Sequence, residues 1–239
     1  MLALFDETHT RWTVTELARR VGLPKTTTMR LVKTLEQSAV VWADADGQVT
    51  VGPRLLRWSR LASDIWQLPA PARQVMRRLS ADCGETVNLY VRQGLMRVCV
   101  AREEGTQAVR HVVNVGESFP LWAGASGRVL LIRAQTDLIA AVARRSPHGE
   151  EFTSSLMDRI QRAAEQGWAQ SHGEREAGAS GLAAPVVDRQ GRVLAALALG
   201  GPTSRFTPER VTDFAPALCQ AAADLSALAL DWPRASAAA

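Results

Sequence analysis

Four histidines, His9, His111, His148 and His172, and three cysteines, Cys83, Cys99 and Cys219, are the residues from which a metal centre or a nucleophilic site would be drawn. The histidines stand at least 24 residues apart, so no i, i+4 ligand pair exists on any helix. The cysteines are widely separated, odd in number and flanked by apolar residues, as reduced thiols in a core are. Ser126 lies in Gly124-Ala125-Ser126-Gly127, but a nucleophile elbow needs glycine two residues after the serine, and Arg128 stands there. Neither an enzyme nor a metal or organic cofactor is expected.

A different chemistry is concentrated near the N-terminus. Lys25, Thr26, Thr27, Thr28, Arg30 and Lys33 place three cations and several short hydroxyls within nine residues, with no acid among them. Lysine and arginine meet phosphates and guanine edges, and threonine meets phosphates or thymine methyls. The whole chain carries a net charge of only +4, whereas His9–Arg60 holds nine Lys or Arg against four acids, a balance of +5. The basic patch is local, as a nucleic-acid footprint on a near-neutral protein must be.

Two short helices joined at Gly22-Leu23 must position those cations. Thr13 and Glu16 make an S/T-x-x-E capping pattern, Leu17 and Val21 repeat at i and i+4, and Gly22 suits the left-handed stop. Pro24 suits the first turn of the second helix, on which Thr28, Leu31, Val32 and Leu35 form an apolar face. A helix-turn-helix reading follows, with an ordinary amphipathic pair and a solvated charged face as the competing one. Leu2, Leu4 and Phe5 read as the last turn of a preceding helix and Asp6–Arg11 as a polar loop. Val40–Trp42 and Gln48–Val51 around Asp46-Gly47 read as a hairpin, a wing on which Gln48 and the nearby Arg54 could touch phosphates or merely cover the core.

Pro53–Trp66 is a helix with so wide an apolar stripe that a partner subunit is expected against it. Pro69-Ala70-Pro71 marks a boundary. Beyond it come a helix (Ala72–Cys83), strands at Thr86–Arg92, Arg97–Arg102 and Val109–Val115, and a small-residue cluster, Ala123–Gly127, that lets a backbone come close to something. Helices follow at Asp137–Arg145 and Thr153–Gly167, then the polar Ser171–Gly181 segment. An apolar hairpin (Leu182–Val187, Val193–Leu199) and a final helix from Thr207 to about Leu230 complete the chain. Strands on both sides of a helical middle predict an α+β domain built on an antiparallel sheet flanked by helices. No secretory signal and no apolar run of membrane-spanning length is visible, which predicts a cytoplasmic protein with no membrane partner.

The chain resembles the IclR family of bacterial transcription regulators in TELARRVGLPKTTTMRLVKTLEQ, VTVGPRLLRW, GETVNLYV, GESFPLWAGASGRVLL and GLAAPVVDRQGRVLAALALGGPTSRFT, in that order. The last two segments are the specific ones. The resemblance implies a winged helix-turn-helix DNA-binding domain (residues 1–52), a linker and dimerisation helix (53–68), and a GAF/PAS-like effector-binding domain (69–239). It also implies homodimers that can pair into tetramers, a double-stranded DNA operator, and a first helix of which only the last turn is present here. Repression is the commoner mode in the family; activation, or an effector module with weakened DNA binding, are the alternatives.

Carried over residue by residue, the effector pocket would be lined by Leu121, Trp122, Gly124, Ala125 and Ser126, by Ser171, and by Gly181, Ala198 and Gly200. Trp122, Gly124 and Arg128 replace the usual histidine, hydroxyl and lysine, Ser171 replaces a frequent acid, and Gly181, Ala198 and Gly200 replace Cys and Ser. The departures suggest few hydrogen-bond donors and more room. The expected effector is therefore an aromatic acid or an amide-like derivative rather than a small oxo acid, unless Trp122 fills the space.

Overall fold

The computed structural model describes residues 1–110 and 112–230. It divides into two compact units that meet between Gln67 and Leu68.

In the first unit a single 3-10 turn, Leu2–Leu4, precedes strand β1 (Arg11–Thr13), helices α1 (Val14–Val21) and α2 (Lys25–Gln37), strands β2 (Val41–Ala43) and β3 (Gln48–Val51), and helix α3 (Arg54–Trp66). The capping box forms as its spacing predicts. The Thr13 amide donates to Glu16 Oε2 at 2.8 Å, and the Glu16 amide donates to Thr13 Oγ1 at 3.2 Å. Gly22 ends α1 with φ at +67°. Pro24 caps α2 instead of entering it.

Two expectations need correction here. Arg11 does not end a loop but opens β1, which pairs with β3 so that the wing is a three-stranded sheet in the order β1-β3-β2. Three residues are too few to show strand alternation in a sequence. Leu31 is 42% exposed, so the apolar face of α2 is narrower than its spacing suggests. Leu17, Val32, Val41, Val49 and Trp12 make the core, and Leu4 and Phe5 pack on it. The Trp12 indole N–H donates to the Leu4 carbonyl at 3.0 Å, which ties the N-terminal turn to β1.

The second unit begins with α4 (Ala70–Cys83), β4 (Thr86–Gln93), β5 (Met96–Glu103) and β6 (Ser118–Pro120). It continues with α5 (Ala125–Leu130), α6 (Thr136–Arg144), α7 (Phe152–Gln166), β7 (Ala169–His172), β8 (Ala179–Val187), β9 (Val193–Pro202) and α8 (Pro208–Ala227). The six strands are antiparallel in the order β6-β5-β4-β9-β8-β7.

Side chains alternate across a strand, and β9 uses this to build two different faces. Ala196 and Ala198 join Ala183 of β8 in the cluster packed with α5, α6 and α7. Leu197 and Leu199 therefore point to the other face, where α8 lies along β8 and β9 and also touches α4. Small residues on the first face are what allow α5 to approach the sheet closely.

The segment Val109–Val115 is not a strand: Val109, Val112 and Val115 are exposed, and the edge strand is Ser118–Pro120. Those valines recur every three residues, a spacing that cannot put them on one face of a strand. Arg102 Nη1 reaches the Val113 carbonyl at 2.9 Å in place of a ladder bond. Residue 111 within this segment and the tail after Leu230 lie outside the described residues.

Candidate functional sites

On α2, Lys25, Thr26, Thr27, Arg30 and Lys33 are all exposed. Among the described residues no acid lies within 4 Å of the three cations, whereas Arg11 of β1 approaches Asp44 at 4.0 Å. Thr28 does not belong with this group. It is fully buried and its hydroxyl donates to the Pro24 carbonyl at 3.2 Å, so it has no atom to offer a nucleic acid. Leu31 takes a place on the outer surface, one turn after Thr27. Gln48 on β3 is half-buried and Arg54 at the start of α3 is exposed.

In the second unit a small cavity opens where the alanines of the α5-facing sheet surface give way to glycines. Its walls include Gly124, Ala125, Ser126, Ser171, Gly181, Ala198 and Gly200, so residues far apart in sequence meet at one place. Sheet register explains this: Gly181 pairs with both Ser171 and Gly200, and Ala198 pairs with Asn88. Leu121 is fully buried in the core and Trp122 packs against the same core; neither lines the cavity, so Trp122 does not fill it.

Side chains absent from the sequence reading occupy the space. Asn88 and Tyr90 from β4, Arg97 from β5, and Glu174, Arg175 and Ser180 from the β7–β8 region also line the cavity, whose free volume is about 70 Å³. Ligand pockets commonly measure roughly 300–1,000 Å³. The expectation of extra room and few donors is thus overturned: the hydroxyls missing at 124, 181, 198 and 200 are answered by a guanidinium. Arg97 sits between two aromatic faces, 5.6 Å from the Tyr90 ring and 5.4 Å from the Phe119 ring. Its Nη1 donates to the carbonyls of Pro120 and, at 2.6 Å, Ala123.

The glycines make way for this arginine and for its loop. A Cβ on Gly124 would lie 3.0 Å from Arg97 Nη2, and one on Gly127 would lie 2.2 Å from the Leu121 carbonyl oxygen and 3.3 Å from Arg97 Nη1. What the small-residue cluster lets in is therefore Arg97. No signal in the local pattern could have shown it, because Arg97 lies on a strand 27 residues before Gly124.

A second arginine fixes the cavity wall. Arg128 of α5 donates to the Gln170 carbonyl of β7 and to Glu174, whose other oxygen accepts from the Gly124 amide at 2.9 Å. Arg159 of α7 adds a longer contact to Glu174, at 3.4 Å. Burial pushes the Arg97 guanidinium down to about 10, and burial also lowers Arg128, partly offset by Glu174 beside it. Even so lowered, Arg97 stays charged at neutral pH.

No group of three or more His, Cys, Asp or Glu side chains that could hold a metal is found among the described residues. None of their helices is long and apolar enough to cross a membrane.

Comparison with known proteins places both units. The model for the IclR helix-turn-helix domain matches residues 1–41, and the model for the C-terminal domain of the bacterial transcriptional regulator IclR matches residues 63–227. The repressor AllR of Salmonella typhi is 29% identical over 235 residues, which is 92% of this chain and 84% of AllR. A crystal structure of an IclR-family regulator from Rhodococcus shares 48% identity, with 96% of this chain and 90% of that one covered, at a TM-score of 0.69. An IclR homologue from Microbacterium hydrocarbonoxydans, solved in complex with 4-hydroxybenzoate, shares 25% identity over 95% of this chain and 96% of its own, also at a TM-score of 0.69. With one family model covering more than half of its length and a second covering the helix-turn-helix, the chain belongs to the IclR family of DNA-binding transcriptional regulators.

Proposed function

We propose that this protein is a homodimeric, effector-responsive repressor of a catabolic operon, which reads double-stranded operator DNA with α2 and senses a small aromatic acid or a close derivative. The observation that carries the effector reading is the lining of the cavity. The Tyr90 ring and the apolar surfaces of Leu182 and Ala198 stand beside the Arg97 and Arg175 guanidinium groups, the Glu174 carboxylate, Asn88 and the Ser126, Ser171 and Ser180 hydroxyls. An aromatic face beside directed polar and cationic groups suits a flat ring with an acidic end. The relative solved with 4-hydroxybenzoate supports the ligand class, and the relative named a repressor supports the sign of control.

Exposed Lys25, Arg30 and Lys33 meet phosphates or guanine edges, with Gln48 and Arg54 at the flanks. Regulation follows from linkage: an aromatic acid that binds the DNA-competent arrangement more weakly releases the operator by that difference in affinity. At about 70 Å³ the cavity must open to admit a ring.

Calorimetry of the full chain with benzoate, 4-hydroxybenzoate, benzamide, pyruvate and glyoxylate tests the effector. Heat from at least one of the aromatics and none from the oxo acids is expected, with benzoates then loosening a labelled duplex selected from random sequence. Heat from the oxo acids alone would overturn the reading, and a duplex held more tightly in the presence of benzoate would overturn repression.

A further inference from the structure

We infer that Arg97 is the residue that selects the charge of the effector: its guanidinium seats a carboxylate, so the effector is an anion and a neutral amide of the same shape is rejected. The inference rests on the reading of the cavity as the effector site and narrows it from aromatic acids and derivatives to the acids.

Arg97 is 3% exposed and lines the cavity. Among the described residues it makes no ion pair within 4 Å, and its Nε–H has no hydrogen-bond acceptor at all. Only Nη1 is engaged, by the carbonyls of Pro120 and Ala123. A buried cation without a counter-charge is an arrangement that folded proteins rarely keep unless something else completes it.

The nearby acid does not complete it. Both oxygens of Glu174 are already used, one by Arg128 and Arg159 and the other by the Gly124 amide. Arg175, a further lining residue, already pairs with Glu176 at 3.7 Å and stacks 4.3 Å from the Phe119 ring that Arg97 also faces. Of the two guanidinium groups that line the cavity, Arg97 is therefore the one with no carboxylate within 4 Å among the described residues. One more anion would balance it.

The geometry also suits the ligand class. The planar guanidinium takes a carboxylate in a two-point contact that a lysine cannot reproduce. Tyr90, which lines the cavity beside that guanidinium, would offer its ring to one attached to the carboxylate. Gly124 contributes by its lack of a side chain, since a Cβ there would press on Nη2, the nitrogen left free to bind.

The test compares benzoate with benzamide by calorimetry on the full-length wild type, Arg97→Met and Arg97→Lys, with the melting temperature of each. The wild type is expected to bind benzoate at least a hundred-fold more tightly than benzamide, a preference of the size seen when a buried charge pair loses a partner. Arg97→Met is expected to lose that preference while melting no lower than the wild type, because removing an uncompensated buried charge relieves the fold. Arg97→Lys is expected to recover part of it.

Equal binding of the two probes by the wild type would overturn the inference and leave the aromatic-effector reading standing. A benzoate preference unchanged in Arg97→Met would do the same. Silence with both probes in the wild type would overturn the aromatic reading itself, and this inference with it. Should Arg97→Met fail to fold, Arg97 is a structural group; the benzoate-to-benzamide ratio of the wild type and of Arg97→Lys then decides whether it also selects charge.

Discussion

Replacing Gly124 with serine would supply the hydroxyl that the family resemblance implies there, and it should damage this protein. Gly124 has φ +86° and ψ 157°, a region held essentially by glycine alone, and its missing Cβ clears Arg97 Nη2 by 3.0 Å. The expected loss is about 1–3 kcal/mol from the backbone, read as a lower denaturant midpoint. Combining it with Arg97→Met should recover only the part due to crowding, so a double-mutant cycle separates contact from strain. Arg205 belongs to the same scale. Its Nε and Nη2 grip both oxygens of the fully buried Glu85, at 2.5 and 2.8 Å. Arg205→Leu leaves that carboxylate without its partner, and the expected loss is about 3–5 kcal/mol, measured by chemical unfolding.

These residue-scale facts mark how far the sequence could be read. The glycine cluster at 123–127 announced a close approach, and the guanidinium that makes the approach stayed hidden, because a one-dimensional pattern carries no information about which distant strand comes alongside. The same is true of Glu174 beneath Arg128, 46 residues away. Substitutions of Ser and Cys by Gly and Ala were visible and read as lost donors. Only the fold shows that a larger donor has moved in.

At the scale of elements the reading went further, since helix caps and short-range spacing are local physics. The Thr13–Glu16 box and the Gly22 stop stand where their residue types place them, and two of the misreadings in that unit, β1 and Leu31, concern signals shorter than one turn or one strand. Glu16 is held below the ordinary carboxylate value of 4.5 by the Thr13 amide and hydroxyl. Its contribution to α1 is complete above that value and is lost as pH falls through the lower folded value. Protection factors of the amides in residues 14–17, taken against the intrinsic exchange rate at each pH, should accordingly fall on acidification, and Thr13→Ala should abolish that fall. Helix α2 carries the test of DNA reading: Lys25→Ala with Arg30→Ala should weaken operator binding and lower the slope of log affinity against log salt by about two. Thr28→Val, which changes only a buried hydroxyl, should leave that slope unaltered. An unchanged slope in the double variant would mean that α2 does not meet the phosphates.

For the whole molecule, the element with least support from its own chain is the most telling. Helix α3 buries none of its residues, yet Trp58, Leu61 and Ile65, at i, i+3 and i+7, are each about half exposed, and Leu56 more so. Core-forming side chains left in water along one stripe mark an interaction surface, and a second copy of the same helix satisfies it symmetrically. In the proposed dimer, two recognition helices held at a fixed spacing would read two half-sites where one would bind weakly. Leu61→Glu with Ile65→Glu should therefore yield monomers in sedimentation at micromolar concentration. Operator affinity should fall steeply while benzoate binding, confined to the second unit, remains. If the wild type sediments as a monomer with full operator affinity, the stripe has another use and half-site spacing is set elsewhere. If the double variant stays dimeric, the subunits are joined through the effector-binding unit, and α3 only orients the helices that read DNA.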